Sequence, residues 1–138
     1  MKLISVIIGA LFLQSGIAFA AATPNLVGTW DAVSGYWSAT GTESNPAPAE
    51  QFQKPVHQKL IIAAQQEKTF NGNTFLYNGQ SRFIAGVIGA DGKSIILSSD
   101  NGSSAGSVNQ DNNQISICGA SILSTRNFAF CTVFKRAK

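Results

Sequence analysis

Beyond Pro24 the chain shows short runs in which apolar and polar residues alternate, broken about every ten residues by Gly, Asn or Asp. This period of two is typical of β-strands, and no stretch has a clear helical period. The segment 36–42 fits either a further strand or an ordered loop. The segment 44–55 contains three prolines, which cannot donate to a strand ladder, and is predicted to be a long loop. The predicted strands are residues 26–32, 56–66, 69–77, 82–88, 94–99, 105–109, 114–121 and 126–135.

The connections after residue 56 are short enough to join antiparallel neighbours, and several carry strong hairpin signals. An antiparallel meander of about eight strands has two unpaired edges, and closure into a barrel removes them. We therefore predict an all-β fold, a single eight-stranded antiparallel up-and-down barrel. A barrel of this size is either filled by side chains or holds one small ligand. The hairpin signals are Asn78-Gly79, Asp91-Gly92 and Asn101-Gly102.

The first twenty residues have the three parts of a secretory signal peptide: a basic start at Lys2, an apolar run over 3–13, and a small-x-small site ending at Ala20. The apolar run is about half of what a membrane-spanning helix needs, which argues against a retained anchor. We expect residues 1–20 to be removed and residues 21–138 to form the barrel domain. The mature chain would have 118 residues and be exported, to a periplasm or beyond, with no membrane span.

The two cysteines, Cys118 and Cys131, are separated by 13 positions, and the midpoint between them falls near residues 124–125. If the last two predicted strands form a hairpin there, the cysteines lie opposite each other. In an oxidising compartment such a pair is normally a disulfide, whereas free thiols or a redox site are the alternative. Alternation then places Phe128 and Phe130 on the interior face and the disulfide on the outer face.

Composition removes several classes of function. Charged residues make up only 12% of the chain and hydrophobic residues 44%, which excludes a disordered protein. A net charge of +3 with scattered basic residues does not suggest a nucleic-acid partner. Two cysteines and the single histidine, His57, cannot supply a four-ligand zinc site, and we expect neither metal nor cofactor. We read His57 as a solvated surface residue and assign no catalytic residue.

The segment that contains Gly28 and Trp30 resembles the first strand of the calycins, the superfamily of lipocalins, avidins and small bacterial barrel-shaped inhibitors. In that superfamily a Gly-x-Trp motif opens the barrel, and a basic residue near the end of the last strand packs over the tryptophan ring. The resemblance implies a calycin barrel in which Gly28, Trp30 and either Lys135 or Arg136 close one end. The start of the chain also resembles that of the avidins, but no biotin-contacting set can be matched here.

Aromatic residues are the best functional lead, because they either fill the barrel or line a pocket in it. We predict that the protein binds a small apolar or amphipathic molecule inside the barrel. Two alternatives remain open. One is a periplasmic or secreted inhibitor of a protease or lysozyme, which would insert residues 21–25 or 38–55 into a protein target. The other is a cyclase or isomerase. The predicted ligand contacts are Tyr36, Trp37, Phe75, Tyr77, Phe83 and Phe130.

Overall fold

The computed structural model describes residues 22–53, 58–75, 79–122 and 125–138, with only the backbone of residues 52 and 53. Eight strands form a closed antiparallel barrel, in the order β1-β3-β4-β5-β6-β7-β8-β9, and β9 pairs back onto β1. The predicted fold class is therefore confirmed, and the architecture is consistent with a calycin-like fold. A ninth strand, β2, pairs with β1 outside this ring. The strands are β1 (Gly28–Gly41), β2 (Glu50–Gln53), β3 (Lys59–Gln66), β4 (Thr69–Phe75), β5 (Ser81–Ile88), β6 (Ser94–Ser99), β7 (Gly102–Val108), β8 (Gln114–Ile122) and β9 (Arg126–Arg136).

In the part of the chain that is described, no helix has the length and apolar character needed to cross a membrane.

The first strand, β1, joins two segments that the sequence presented separately. It runs for 14 residues and contains the segment 36–42 that fitted either a strand or a loop. One edge of β1 pairs with β9 over most of its length, with a bulge between Ala32 and Ser34. The other edge has two partners, because Gly28–Asp31 pair with β3 and Tyr36–Ala39 pair with β2. This change of partner lets one strand belong to both the barrel and a projecting hairpin.

The prediction of a continuous loop over 44–55 is wrong in part, because residues 50–53 form β2. Pro46, Pro48 and Pro55 all lie outside this strand, so its four residues retain the N–H groups that a ladder needs. A tight turn connects β1 to this region, in which the Thr42 and Asn45 backbones exchange hydrogen bonds of 3.1 Å.

The barrel has a closed end and an open end, and its core fills the closed half. The turns after β3, β5 and β7 lie at the closed end with residues 22–27, whereas the last residues of β1, β4, β6 and β8 lie at the open end. Inward-facing apolar side chains from every barrel strand meet in the closed half. They are Trp30, Leu60, Ile62, Phe70, Ile84, Ile88, Ile95, Leu97, Val108, Ile115, Ile117 and Phe134, with Leu26 beneath them.

Trp30 and Arg136 cover the closed end of the barrel. The Trp30 ring is fully buried, and its Nε1 donates a 2.9 Å hydrogen bond to the Leu26 carbonyl. The Arg136 Cζ atom lies 4.2 Å from the centre of that ring, and the Arg136 guanidinium donates to the carbonyls of Asn25 and Val27 at 2.7 and 2.8 Å. Lys135 instead faces outward and is exposed.

Steric constraints at the closed end explain why the first residue of the Gly-x-Trp motif is glycine. Gly28 has φ of 138°, a conformation that side-chain-bearing residues rarely adopt. A Cβ atom there would also lie 3.1 Å from Nη1 of Arg136. Glycine at position 28 therefore leaves room for the guanidinium that covers Trp30.

The last two strands carry the predicted disulfide. Cys118 on β8 lies opposite Cys131 on β9, and the two are bonded, so this prediction is confirmed. The bond lies on the outer face, where Cys118 is exposed and Cys131 half-buried. The alternate positions of β9, Phe130 and Phe134 among them, face the interior, as the alternation predicted.

Candidate functional site

The open half of the barrel is hollow and contains a cavity of about 450 Å³. The cavity results from the size of the residues at the inward-facing positions of three neighbouring strands. Near the closed end these positions hold Ile95, Leu97 and Ile115, which reach the core. Near the open end the inward positions on β6, β7 and β8 are occupied by small residues whose side chains are too short to fill the centre. These small lining residues are Ser99, Gly102, Ser104 and Ser121.

One wall of the cavity is aromatic. Trp37 on β1 is paired in register with Phe130 on β9, and Phe128 lies two positions further along the same face. The rings of Trp37 and Phe128 are 5.6 Å apart and inclined at 48°, a geometry that is typical of favourable aromatic contacts. All three side chains are half-buried, so parts of their surfaces are available to a ligand.

An ion pair lies at the rim of the cavity, where β2 and β9 both flank β1. Arg126 donates two hydrogen bonds to the carboxylate of Glu50, at 2.9 and 3.0 Å. This two-bond geometry suits the planar guanidinium. The bonds from Arg126 hold the pKa of Glu50 below its usual value. Glu50 is therefore ionised at neutral pH and is poorly suited to donate a proton.

A second arginine, Arg82 on β5, has a neutral partner. The side-chain oxygen of Asn101, in the turn between β6 and β7, accepts bonds from both terminal nitrogens of Arg82, at 2.7 and 2.9 Å. The same turn is held in place by β8, because the Asn101 backbone carbonyl accepts from the Ser121 hydroxyl at 2.9 Å and from the Ile122 amide at 3.1 Å. These bonds fix the Arg82 guanidinium in the cavity wall.

The structure brings together only part of the predicted ligand-contact set. Trp37 and Phe130 line the cavity. Tyr36 borders it, but this residue pairs with Cys131 on the outer face and is 59% exposed. Phe83 is 83% exposed on the outside of β5, and Phe75 takes the outward position next to the inward Thr74.

Two residues singled out from the sequence, Tyr77 and His57, lie outside the described residues.

Several residues that line the cavity are absent from the predicted ligand contacts. Phe128 had a usable signal, because it shares the alternation of Phe130. Glu50 had none, since it lies 76 positions from the arginine that it contacts and falls in a segment that proline content predicted to be a loop. Arg82 is absent from the predicted ligand contacts, because charged side chains usually face solvent.

The described residues of this site combine apolar, aromatic, hydroxyl and charged side chains. Its charged groups are engaged with each other or with Asn101. Among the described residues, no group of three or more His, Cys, Asp or Glu side chains could hold a metal ion. The floor of the cavity is formed by apolar core residues, Leu60, Ile84, Leu97 and Ile117. This floor, the aromatic wall and the polar rim can together hold a molecule that is apolar at one end and polar at the other.

No protein-family model matches the chain. No curated protein matches it either.

Proposed function

We propose that the protein is an exported, calycin-like barrel that binds a small amphipathic molecule in the open half of its interior. The observation that carries this proposal is the cavity of about 450 Å³ between an apolar floor and a polar rim. Cavities that bind small molecules in proteins are commonly about 300–1,000 Å³, mostly apolar, with a few polar groups that orient the ligand.

Membership of the calycin superfamily is supported by the position of Arg136 over the ring of Trp30, with Gly28 making room for it. Export is supported by the signal-peptide pattern of residues 1–20 and by the disulfide. The mass of the protein recovered from the exported fraction tests this directly. We expect a chain that begins at Ala21, and a full-length chain in the cytosol would contradict export.

The packing of the N-terminal segment argues against an inhibitor that acts through residues 21–25. An inhibitor that works through residues 21–25 needs that segment free to enter an enzyme's cleft. Here Pro24 is buried, and its carbonyl accepts a 2.8 Å bond from the Gln65 side chain. Gln65 also accepts a 2.8 Å bond from the Leu26 amide. Moving this segment into an enzyme's cleft would expose the core at the closed end of the barrel.

Native mass spectrometry of protein purified from its own host tests for a retained ligand. We expect a fraction of molecules to carry one small molecule, which is lost under denaturing conditions. The neutral fluorescent probe N-phenyl-1-naphthylamine tests the cavity of the emptied protein. We expect saturable binding of one molecule per chain. Absence of both a retained molecule and probe binding would refute the proposal.

A pair of variants on β7 locates the binding. Ser104 faces the cavity, whereas Ser107 is exposed on the outer face of the same strand. Ser104→Phe is expected to fill the cavity and reduce probe binding at least about 10-fold, an effect of about 1.4 kcal/mol. Ser107→Phe introduces the same ring outside and is expected to leave binding unchanged. Equal effects of the two variants would place the probe elsewhere.

A further inference from the structure

The positive and negative charges of the residues that line the cavity do not cancel. Glu50, Arg82 and Arg126 are its charged lining residues among those described, and the Glu50 carboxylate is engaged by Arg126. Within the described chain, no carboxylate oxygen lies within 4 Å of a nitrogen of Arg82, so the charge of Arg82 has a neutral partner only. The cavity wall therefore carries one positive charge that no described carboxylate neutralises.

Arg82 also has hydrogen-bonding capacity to spare. A guanidinium has five N–H donors, and Asn101 receives one bond from each terminal nitrogen. The remaining donors form the kind of planar fork that matches carboxylate, sulfonate and phosphate oxygens. An anion that binds here would not displace a carboxylate, whereas at Arg126 it would compete with Glu50.

Arg82 lies at the boundary between the polar and the apolar parts of the cavity lining. Two positions towards the closed end on the same face of β5 is Ile84, which belongs to the buried core and also lines the cavity. Thr74 on β4 lies directly opposite Arg82 in register and faces the same cavity. The cavity lining thus changes from hydroxyl and guanidinium groups to aliphatic side chains within two residues along the strand.

We propose that the ligand is a small organic anion, with one carboxylate, sulfonate or phosphate group bound by Arg82 and an apolar part directed towards the floor at Ile84. This inference rests on the proposed function and names the chemical class of its ligand. The oriented guanidinium supplies charge-assisted hydrogen bonds to the head group. The aromatic wall and the floor bind the apolar part.

The test compares three ten-carbon probes that differ only in the head group: decanoate, decanol and decylammonium. Each competes with N-phenyl-1-naphthylamine for the emptied protein. We expect decanoate to bind at least about 10-fold more tightly than decanol, and decylammonium to bind most weakly. If decanol binds as well as decanoate, or decylammonium binds best, the anion proposal is overturned while the cavity proposal stands. If the fluorescent probe itself does not bind, the proposed function fails first.

Two charge-removing variants locate the head group. Arg82→Gln is expected to reduce the preference for decanoate over decanol to about one. Lys93→Gln removes the same charge from an exposed turn at the closed end and is expected to retain the full preference. Arg82→Lys keeps the charge without the fork and is expected to retain part of it. Retention of the full preference in Arg82→Gln would refute the assignment of Arg82, and the wild-type comparison decides the ligand class if that variant does not fold.

Discussion

Replacing Trp30 by alanine removes the largest side chain of the closed end. The ring is fully buried and packs among core residues from the barrel strands. A buried aromatic side chain covers about 150–250 Å², which at about 25 cal/mol per Å² corresponds to roughly 4–6 kcal/mol. Measured Trp→Ala and Phe→Ala substitutions in cores cost about 3–5 kcal/mol. We therefore expect Trp30→Ala to lower the free energy of unfolding by about 4 kcal/mol.

Urea denaturation followed by far-ultraviolet circular dichroism measures this change. Domains of this size have about 5–15 kcal/mol of stability, so the variant is expected to be much closer to unfolding at room temperature. Trp30→Phe keeps an aromatic ring for Arg136 to cover but loses the bond to the Leu26 carbonyl, and we expect about half the effect or less. Trp37→Ala is the matched control, because Trp37 is only half-buried at the cavity wall.

A decrease of less than about 1 kcal/mol in the free energy of unfolding of Trp30→Ala would refute the reasoning, since the loss of a fully buried indole costs more than that. A larger loss for Trp37→Ala than for Trp30→Ala would also contradict it. That outcome would mean that the open half of the barrel, and not the closed half, contains the stabilising core.

Three other perturbations test the wall and the rim of the barrel. Replacing Cys118 and Cys131 together by alanine is expected to cost about 3 kcal/mol in urea denaturation, and a reductant should then destabilise only the wild type. Gly106→Ala puts a methyl group against the β8 backbone and is expected to cost more than 1 kcal/mol, whereas Ser107→Ala on the exposed face should be neutral. The arginine at the rim lowers the pKa of Glu50, so the carboxylate's contribution to stability is present above its unfolded pKa and is lost as pH falls through the lower folded value. An NMR titration should place Glu50 below ordinary glutamates, and an ordinary midpoint would show that the ion pair does not persist in solution.

The alternation of residues predicted most of the strands because each barrel wall has one buried and one exposed side. The turn dipeptides supplied the antiparallel order, and short connections do not allow strands to be exchanged. The segment 50–53 is the exception. Its four residues have no hydrophobic period of their own and become a strand because β1 extends past β3 and offers them an unpaired edge.

The faces of β5 show why the structure brings together only part of the predicted ligand contacts. Arg82 and Ile84 alternate with Phe83 and Val87, so both faces of this strand contain apolar residues. Hydrophobicity alone favoured Phe83 as an interior residue. In the closed barrel the register places Arg82 and Ile84 inside and leaves Phe83 and Val87 exposed.

The sequence by itself determined the order of the eight barrel strands and the pairing of Cys118 with Cys131, because these depend on periodicity and on contacts between neighbours in the chain. The roles of Gly28 and Trp30 were implied by the resemblance to the calycins. Only the tertiary structure decided that the barrel is filled at one end and hollow at the other. That difference depends on how far inward side chains from strands distant in sequence reach towards a shared axis. The rim contact between Glu50 and Arg126, 76 residues apart, likewise exists only once β9 closes onto β1.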